Sequence, residues 1–340
     1  MANENKTEYL QPLFDNYGRK HTYLRISLSE KCNLRCTYCM PAEGLKLSPR
    51  GDIMTADEIY AIAKKFVNLG VNKIRLTGGE PLIRKDFSLI LNSLAKLDVE
   101  LGITTNGILI HEYINQLKAL DFKFINISLD TLNARKFKEI TRRDHYQQVM
   151  DNIHLLLGAG ITPRINVVVL KGFNDEEIVD FIEATRELKI DIRFIEFMPF
   201  EGNAWDKSKL VSLAEILEMS AVKFGGENIQ RLNDKENDTS KNYKIKGFKG
   251  NFSVISTVTN PFCDSCNRIR LTANGKIKNC LFSQGETDIL TPFRKGVDLE
   301  KLIRKSLDSK KAVRAGMNTL EEFSNPENNQ DNRSMILIGG

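Results

Sequence analysis

The sequence predicts an α/β fold: a partial, open (β/α)6 barrel of TIM-like type, capped by a small C-terminal antiparallel sheet domain. Three observations predict it. From about residue 23 to 197, short β-branched runs alternate with longer amphipathic ones, the pattern of βα units and a parallel sheet. The six units are two short of a closed eight-stranded barrel. After about residue 200 the alternation gives way to a helix, a polar loop and short strand-like runs. The expected division is therefore residues 1–205 and residues 206–340.

In chain order, the strands are YLRISLS (23–29), KIRLT (73–77), ELGITT (100–105), FINISL (124–129), RINVVVL (164–170) and IRFIEFM (192–198). Helical patterns lie between them at Ala56 to Leu69, Phe87 to Leu97, Tyr113 to Leu120 and Glu176 to Leu188, the last opened by an Asn174-Asp175 cap. In barrels of this kind reactive groups gather at the C-terminal strand ends, here Cys32 to Cys39, Gly78 to Pro81, Thr104 to Gly107 and Asp130. Beyond residue 205, Lys207 to Ser220 reads as a helix and Arg231 to Asn242 as a polar loop. Strand-like runs follow at 252–259 and 269–272, and Asn274-Gly275 is a type I′ hairpin signal before a strand ending at Cys280.

A 340-residue chain that is 41% hydrophobic can bury a large core, which excludes a wholly disordered chain. The net charge of +5 is mild, so a nucleic-acid partner is not demanded, and a polyanionic small molecule accounts for it equally. The first twenty residues hold no apolar run suited to a signal sequence, and no uncharged stretch approaches twenty residues. The expectation is a soluble cytoplasmic protein with no membrane partner. In that reducing compartment six cysteines read as metal ligands or inert core residues rather than disulfides.

The cysteines fall into two groups. Cys32, Cys36 and Cys39 have the spacing C-x3-C-x2-C on one loop after a strand. Three thiolates can hold three irons of a [4Fe–4S] cube and leave the fourth open for a chelating ligand. The alternative, a structural zinc, needs a fourth protein ligand, and the nearest histidine, His21, lies before the strand. Cys263, Cys266 and Cys280 form C-x2-C-x13-C with the hairpin inside the long gap. A zinc ribbon is the alternative there too, and again a fourth ligand is missing. Arg268 and Arg270 stand two apart on a strand and so share a face. Guanidinium forks suit phosphate oxygens, although basic residues on a strand also serve as solvated surface. Four histidines, His21, His111, His145 and His154, fall at no strand end, which leaves little for histidine-based acid–base chemistry.

The run CNLRCTYCM resembles the signature of the radical S-adenosylmethionine superfamily, and LTGGEP at 76–81 resembles the motif whose backbone receives the amino group of that cofactor. Over nearly its whole length the chain is similar to the GTP 3′,8-cyclase family of molybdenum-cofactor biosynthesis. The most specific pieces are CNLRCTYCMPAEG, IRLTGGEPLIRKD, RFIEFM, FCDSCNRIRLTANGKIKNCLF and the terminal IGG.

The resemblance implies two [4Fe–4S] clusters, held by Cys32, Cys36 and Cys39 and by Cys263, Cys266 and Cys280, with S-adenosylmethionine on the first and the guanine of GTP on the second. It implies Tyr38, Gly78, Gly79, Glu80, Ser128 and Met198 at the cofactor. Arg25, Lys73, Arg75, Thr104, Arg164, Arg193, Arg268 and Arg270 would meet GTP, with Arg25, Arg268 and Arg270 serving catalysis. It further implies a 5′-deoxyadenosyl radical that takes hydrogen from C3′ of GTP, after which the C3′ radical closes on C8. An external electron donor, a homodimer and delivery of product to cyclic pyranopterin monophosphate synthase belong to the same expectation, with no nucleic acid. The chain departs from the family pattern at Ser29-Glu30-Lys31, where Thr-Asp-Arg is common, and at Arg164, which stands where a lysine is expected to reach the triphosphate. The apolar run Met335 to Ile338 before Gly339-Gly340 argues for a docked tail. Two rivals remain: a radical enzyme with an auxiliary cluster acting on a peptide, and a zinc-bearing nucleic-acid-binding module.

Overall fold

A computed structural model of the chain describes residues 11–201, 203, 205–329 and 332–339. The six expected strands are present as β1 (Tyr23–Ser27), β2 (Lys73–Thr77), β3 (Glu100–Thr105), β4 (Phe124–Ser128), β5 (Thr162–Val169) and β6 (Asp191–Glu196). They pair in parallel in sequence order. In β5 the alternation that makes a strand legible also divides its faces. Pro163, Ile165, Val167 and Val169 are buried in the core, while Arg164, Asn166 and Val168 face a cavity.

The connecting helices are α1 (Ala56–Asn68), α2 (Phe87–Leu94), α3 (Ile110–Ala119), α4 (Ala134–Thr141), α5 (Tyr146–Gly158) and α6 (Ile178–Ala184). Helix α1 shows why such segments form. Thr55 and Glu58 close a capping box at its start, and Ile59, Ile62, Ala63 and Phe66 bury one face at helical spacing. Helices α4 and α5 lie outside the four helical patterns named from the sequence, although Val149, Ile153 and Leu156 carry the apolar spacing of α5. The helix expected from Lys207 begins later, as α7 (Leu213–Phe224), because the Ser212–Glu215 capping box starts it there; residues 207–209 form a single 3-10 turn.

The remaining strands are β7 (Ile229–Arg231), β8 (Lys241–Ile245), β9 (Asn251–Ile255), β10 (Arg268–Leu271), β11 (Lys276–Lys278) and β12 (Thr287–Asp288). They do not form a separate antiparallel cap. Strand β9 adds in parallel to β6 and β10 adds in parallel to β1, and the others continue both edges antiparallel, giving one sheet in the order β12-β11-β10-β1-β2-β3-β4-β5-β6-β9-β8-β7. The physical reason is that β1 and β6 would otherwise expose unpaired edges, and the later strands satisfy them. The β10–β11 turn also differs from the expected type I′: of the pair Asn274-Gly275 only Gly275 has positive φ (68°). Gly275 N–H donates to Thr272 O and Thr272 N–H to Lys276 O, a three-residue loop closed by a left-handed glycine.

The chain ends in α8 (Leu290–Arg294), α9 (Glu300–Asp308), α10 (Leu320–Ser324) and α11 (Met335–Ile338). One buried core runs from Leu13 to Leu307, and a smaller one joins Phe200, Val258, Phe282, Met317, Phe323 and Ile338. Among the described residues no helix is long and apolar enough to cross a membrane.

Candidate functional site

A cavity of about 750 Å³ is walled by residues of β1 to β6, β9 and β10 and by adjoining loops. Cys32, Cys36 and Cys39 lie on the loop after β1. That loop is seated on the end of α4 by Arg35 N–H to Thr141 O (3.0 Å) and Thr37 N–H to Ile140 O (2.8 Å), and is tied by Arg142 Nη1 to Arg35 O (2.7 Å). Cys39 faces the cavity beside Tyr38, whose hydroxyl donates to Asp130 Oδ2 (2.7 Å). Burial, with no compensating cation strong enough, pushes the Cys32 thiol up to about 11 and the Cys39 thiol up to about 12. Burial also raises Cys36, with Cys39 and Asp130 adding to it.

The Gly-Gly-Glu turn after β2 is wedged against the same loop. Gly79 N–H donates to Ser29 O (2.6 Å) and Glu80 N–H to Lys31 O (2.8 Å). A Cβ on Gly79 would stand 2.3 Å from Lys31 O and 2.8 Å from Ile336 Cγ1, so only glycine fits. The terminal helix α11 closes over this corner: Ser334 Oγ donates to Cys39 O (2.7 Å), and Arg333 bridges Glu30 (3.2 Å) and Glu286 (3.0 Å). The tail is thus docked through Gly339; Gly340 lies outside the described residues.

The second group sits at the other end of the strands. Because β10 runs parallel to β1, Cys263 and Cys266, which precede β10, lie at the N-terminal edge of β1, and Cys280, after antiparallel β11, returns to it. Strand β1, five residues and roughly 16 Å long at 3.3 Å per residue, lies between the two groups. The rule that reactive groups gather at C-terminal strand ends holds for the first triad and not for the second. Burial pushes the Cys266 thiol up, but Arg268 and Lys310 outweigh it and bring the thiol down to about 6. Among the described residues no three His, Cys, Asp or Glu side chains converge on a single ion.

Between the two groups the wall is cationic. Arg25 pairs in register with Arg75 on one side and Arg270 on the other. Arg75 Nε donates to the Tyr23 hydroxyl, and its guanidinium lies against Gly102, where a Cβ would come within 3.2 Å. Burial, then neighbouring arginines, lower the guanidiniums of Arg193 and Arg270. Such crowding of buried cations is relieved by a polyanion. Arg270 Nε, Thr104 Oγ1, Asn126 Oδ1 and Asn166 Oδ1 are buried in this region with no hydrogen-bond partner among the described residues. Lys73 pairs with Glu100 (2.7 Å) and Arg164 with Asp191 (3.2 Å), with the Arg164 guanidinium 3.5 Å above the Phe124 ring.

Two family models match the chain: the radical SAM superfamily over residues 26–185 and the molybdenum cofactor synthesis C-terminal family over residues 190–315. The chain is 45% identical to the mitochondrial GTP 3′,8-cyclase of Arabidopsis thaliana across 96% of its own length and 83% of that protein. The chain belongs to the GTP 3′,8-cyclase family. A family member from Peptoclostridium acidaminophilum is 40% identical over 96% of this chain and 98% of its own. The chain spans about half the length of animal relatives named molybdenum cofactor biosynthesis protein 1, such as that of Bos taurus (44% identical, 96% of this chain). A crystal structure of Streptococcus suis SuiB bound to S-adenosylmethionine shares the fold, with a TM-score of 0.61 at 19% identity over 87% of this chain and 70% of that one.

The family's radical SAM half calls for a [4Fe–4S] cluster and S-adenosylmethionine, and the residues fit. The first triad offers three free thiols on one compact loop. Tyr38, Gly78, Ser128 and Met198 line the cavity beside Cys39. Gly79 and Glu80 do not. Both Glu80 carboxylate oxygens are taken by the protein, from Leu82 N–H (3.0 Å), Thr105 Oγ1 (2.8 Å) and Asn106 N–H (2.7 Å), so Glu80 fixes the turn rather than facing a ligand. All eight residues expected at the nucleotide, Arg25, Lys73, Arg75, Thr104, Arg164, Arg193, Arg268 and Arg270, line the cavity. Sequence reasoning missed Asn126, Asn166 and Asp191, although each falls at an inward position by the period of two. It also missed Lys310, which no local pattern marks.

Proposed function

We propose that the chain is a radical S-adenosylmethionine lyase that converts GTP to (8S)-3′,8-cyclo-7,8-dihydroguanosine 5′-triphosphate, the first step of molybdenum-cofactor biosynthesis. The observation that carries the reading is a single cavity lined by Cys39 at one end and by Cys263, Cys266 and Cys280 at the other, with buried arginines between them. One end suits a cofactor, the other a base, and the middle a triphosphate. Cys32, Cys36 and Cys39 would hold one [4Fe–4S] cluster, and Cys263, Cys266 and Cys280 the other. When bound, the first cluster and S-adenosylmethionine supply the 5′-deoxyadenosyl radical that takes hydrogen from C3′ of the nucleotide.

The chain's own residues then position and exclude. Arg25, Arg268 and Arg270, adjacent on paired strands, form one anion-binding face, so the triphosphate is held while the ribose points toward Cys39. Thr104 and Asn126, neighbours across β3 and β4, offer buried polar atoms at mid-cavity. Tyr38, held by Asp130, and Ser128 and Met198 wall the cofactor end. Arg164, tied to Asp191 and stacked on Phe124, keeps its charge at the rim while being less free to swing than a lysine. The docked tail keeps water from the first triad.

We read the curved sheet as a partial (β/α)6 barrel, with residues 1–205 supplying the radical chemistry and residues 206–340 the substrate end. A homodimer in the cytoplasm, an external electron donor and hand-over to cyclic pyranopterin monophosphate synthase complete the proposal.

The test is anaerobic turnover of the reconstituted protein with S-adenosylmethionine, a strong reductant and GTP, followed by mass spectrometry. The reading expects 5′-deoxyadenosine and the cyclised nucleotide together, dependent on GTP. Formation of 5′-deoxyadenosine with GTP unchanged would leave the radical fold standing and turn the search for substrate to peptides.

A further inference from the structure

Behind the second cysteine group lies a lysine outside every motif above. Lys310 follows α9, is 3% exposed, and its Nζ donates to Cys266 Sγ (3.4 Å) and to the Arg268 carbonyl (3.1 Å). A buried lysine must have its N–H groups satisfied. Here the partners are a sulfur and a carbonyl, and among the described residues its hydrogen bonds include no carboxylate.

The segment around Lys310 is fixed from several sides. Its own N–H donates to Leu307 O (2.9 Å). The Arg19 guanidinium, anchored on Asp15 (2.6 Å), donates to Lys311 O (2.9 Å) and Ala312 O (2.7 Å), and also to Cys263 O (2.9 Å). Asn279, next to Cys280, donates to Ser306 O (2.6 Å) and Ser309 Oγ (3.0 Å). One C-terminal segment is therefore tied to residues at all three cysteines, and Lys310 reaches a sulfur itself.

We propose that Lys310 is a positioning residue that sets the reduction potential of the iron–sulfur cluster carried by Cys263, Cys266 and Cys280, through its N–H···S hydrogen bond to Cys266. The inference rests on the two-cluster reading above. A donor to a ligand sulfur stabilises the reduced, more electron-rich cluster more than the oxidised one, and so raises the potential. Burial keeps the interaction unscreened by water. One electron enters the cluster on reduction, and no bond is made or broken.

The test uses the full chain with both clusters reconstituted anaerobically. Iron and sulfide content is measured first, then midpoint potentials by EPR-monitored redox titration in wild type, Lys310→Met and Lys310→Arg. The first cluster serves as internal reference, identified as the signal that S-adenosylmethionine perturbs. The expected result is a shift of the second cluster to more negative potential in Lys310→Met, recovery toward wild type in Lys310→Arg, and no movement of the first cluster. An unchanged second midpoint in a fully loaded Lys310→Met overturns the proposal. If that variant loses the second cluster, Lys310→Gln decides: a negative shift supports the role and a wild-type midpoint overturns it. Wild-type iron sufficient for only one cluster overturns the two-cluster reading and this inference together, and is distinguished from the other outcomes before any titration begins.

Discussion

Under the proposed function, Arg270 concentrates the chemistry of the substrate end in one side chain. It is buried, flanked by Arg25 and Arg268, and its Nε has no hydrogen-bond partner among the described residues. Losing one charge-assisted hydrogen-bond donor removes roughly 1.5–3 kcal/mol of binding. Arg270→Ala is therefore expected to lower kcat/KM for GTP on the order of 10- to 100-fold, read from steady-state rates, and Arg270→Lys, lacking the fork, should recover only part of it. The six cysteines divide by position. Alanine at Cys32, Cys36 or Cys39 is expected to abolish 5′-deoxyadenosine formation altogether. Alanine at Cys263, Cys266 or Cys280 should abolish cyclisation while leaving S-adenosylmethionine cleavage measurable. Full activity in any single variant would remove that cysteine from the scheme.

At the scale of elements, the turn after β2 shows how a motif read as ligand-binding does its work through the backbone. Gly79 is pressed against Lys31 and Ile336 with no room for a Cβ, so Gly79→Ala is expected to destabilise the fold by about 1–3 kcal/mol, as overpacking does, and to lower the midpoint of thermal unfolding. Burial raises the Glu80 carboxyl from 4.5 to about 7 against the donors from Asn106, Leu82 and Thr105. The folded chain thus holds more protons on Glu80 than the unfolded chain between those values, and this contribution to stability falls as pH rises through that window. Urea midpoints of the cluster-free Glu80→Gln protein should depend less on pH from 4.5 to 7 than those of wild type.

The six parallel strands were legible because β-branched runs and their alternation are local properties, as in Pro163 to Val169 of β5. The pairing of β10 with β1, which sets Arg270 beside Arg25, was not, because nothing local in Arg268–Leu271 names a partner more than two hundred residues away.

At the scale of the whole molecule, one strand's length separates two cysteine groups in opposite electrostatic settings. The first has Glu80 and Asp130 near it, while the second is surrounded by Arg268, Arg270 and Lys310. The candidate site was readable as two motifs. That Cys39 and the second cysteine group meet one cavity from opposite ends follows from β10 lying parallel beside β1, a long-range pairing the motifs do not encode. Lys310 was invisible for the same reason: its partner Cys266 is 44 residues away and its neighbours are ordinary surface types. The proposed geometry presents C3′ of GTP to the cofactor end. Single-turnover reaction with GTP deuterated at C3′ tests it most directly, by the mass of the 5′-deoxyadenosine formed. One deuterium carried into 5′-deoxyadenosine is expected; 5′-deoxyadenosine without deuterium, formed alongside cyclised product, would place the abstracted hydrogen elsewhere and overturn the reading.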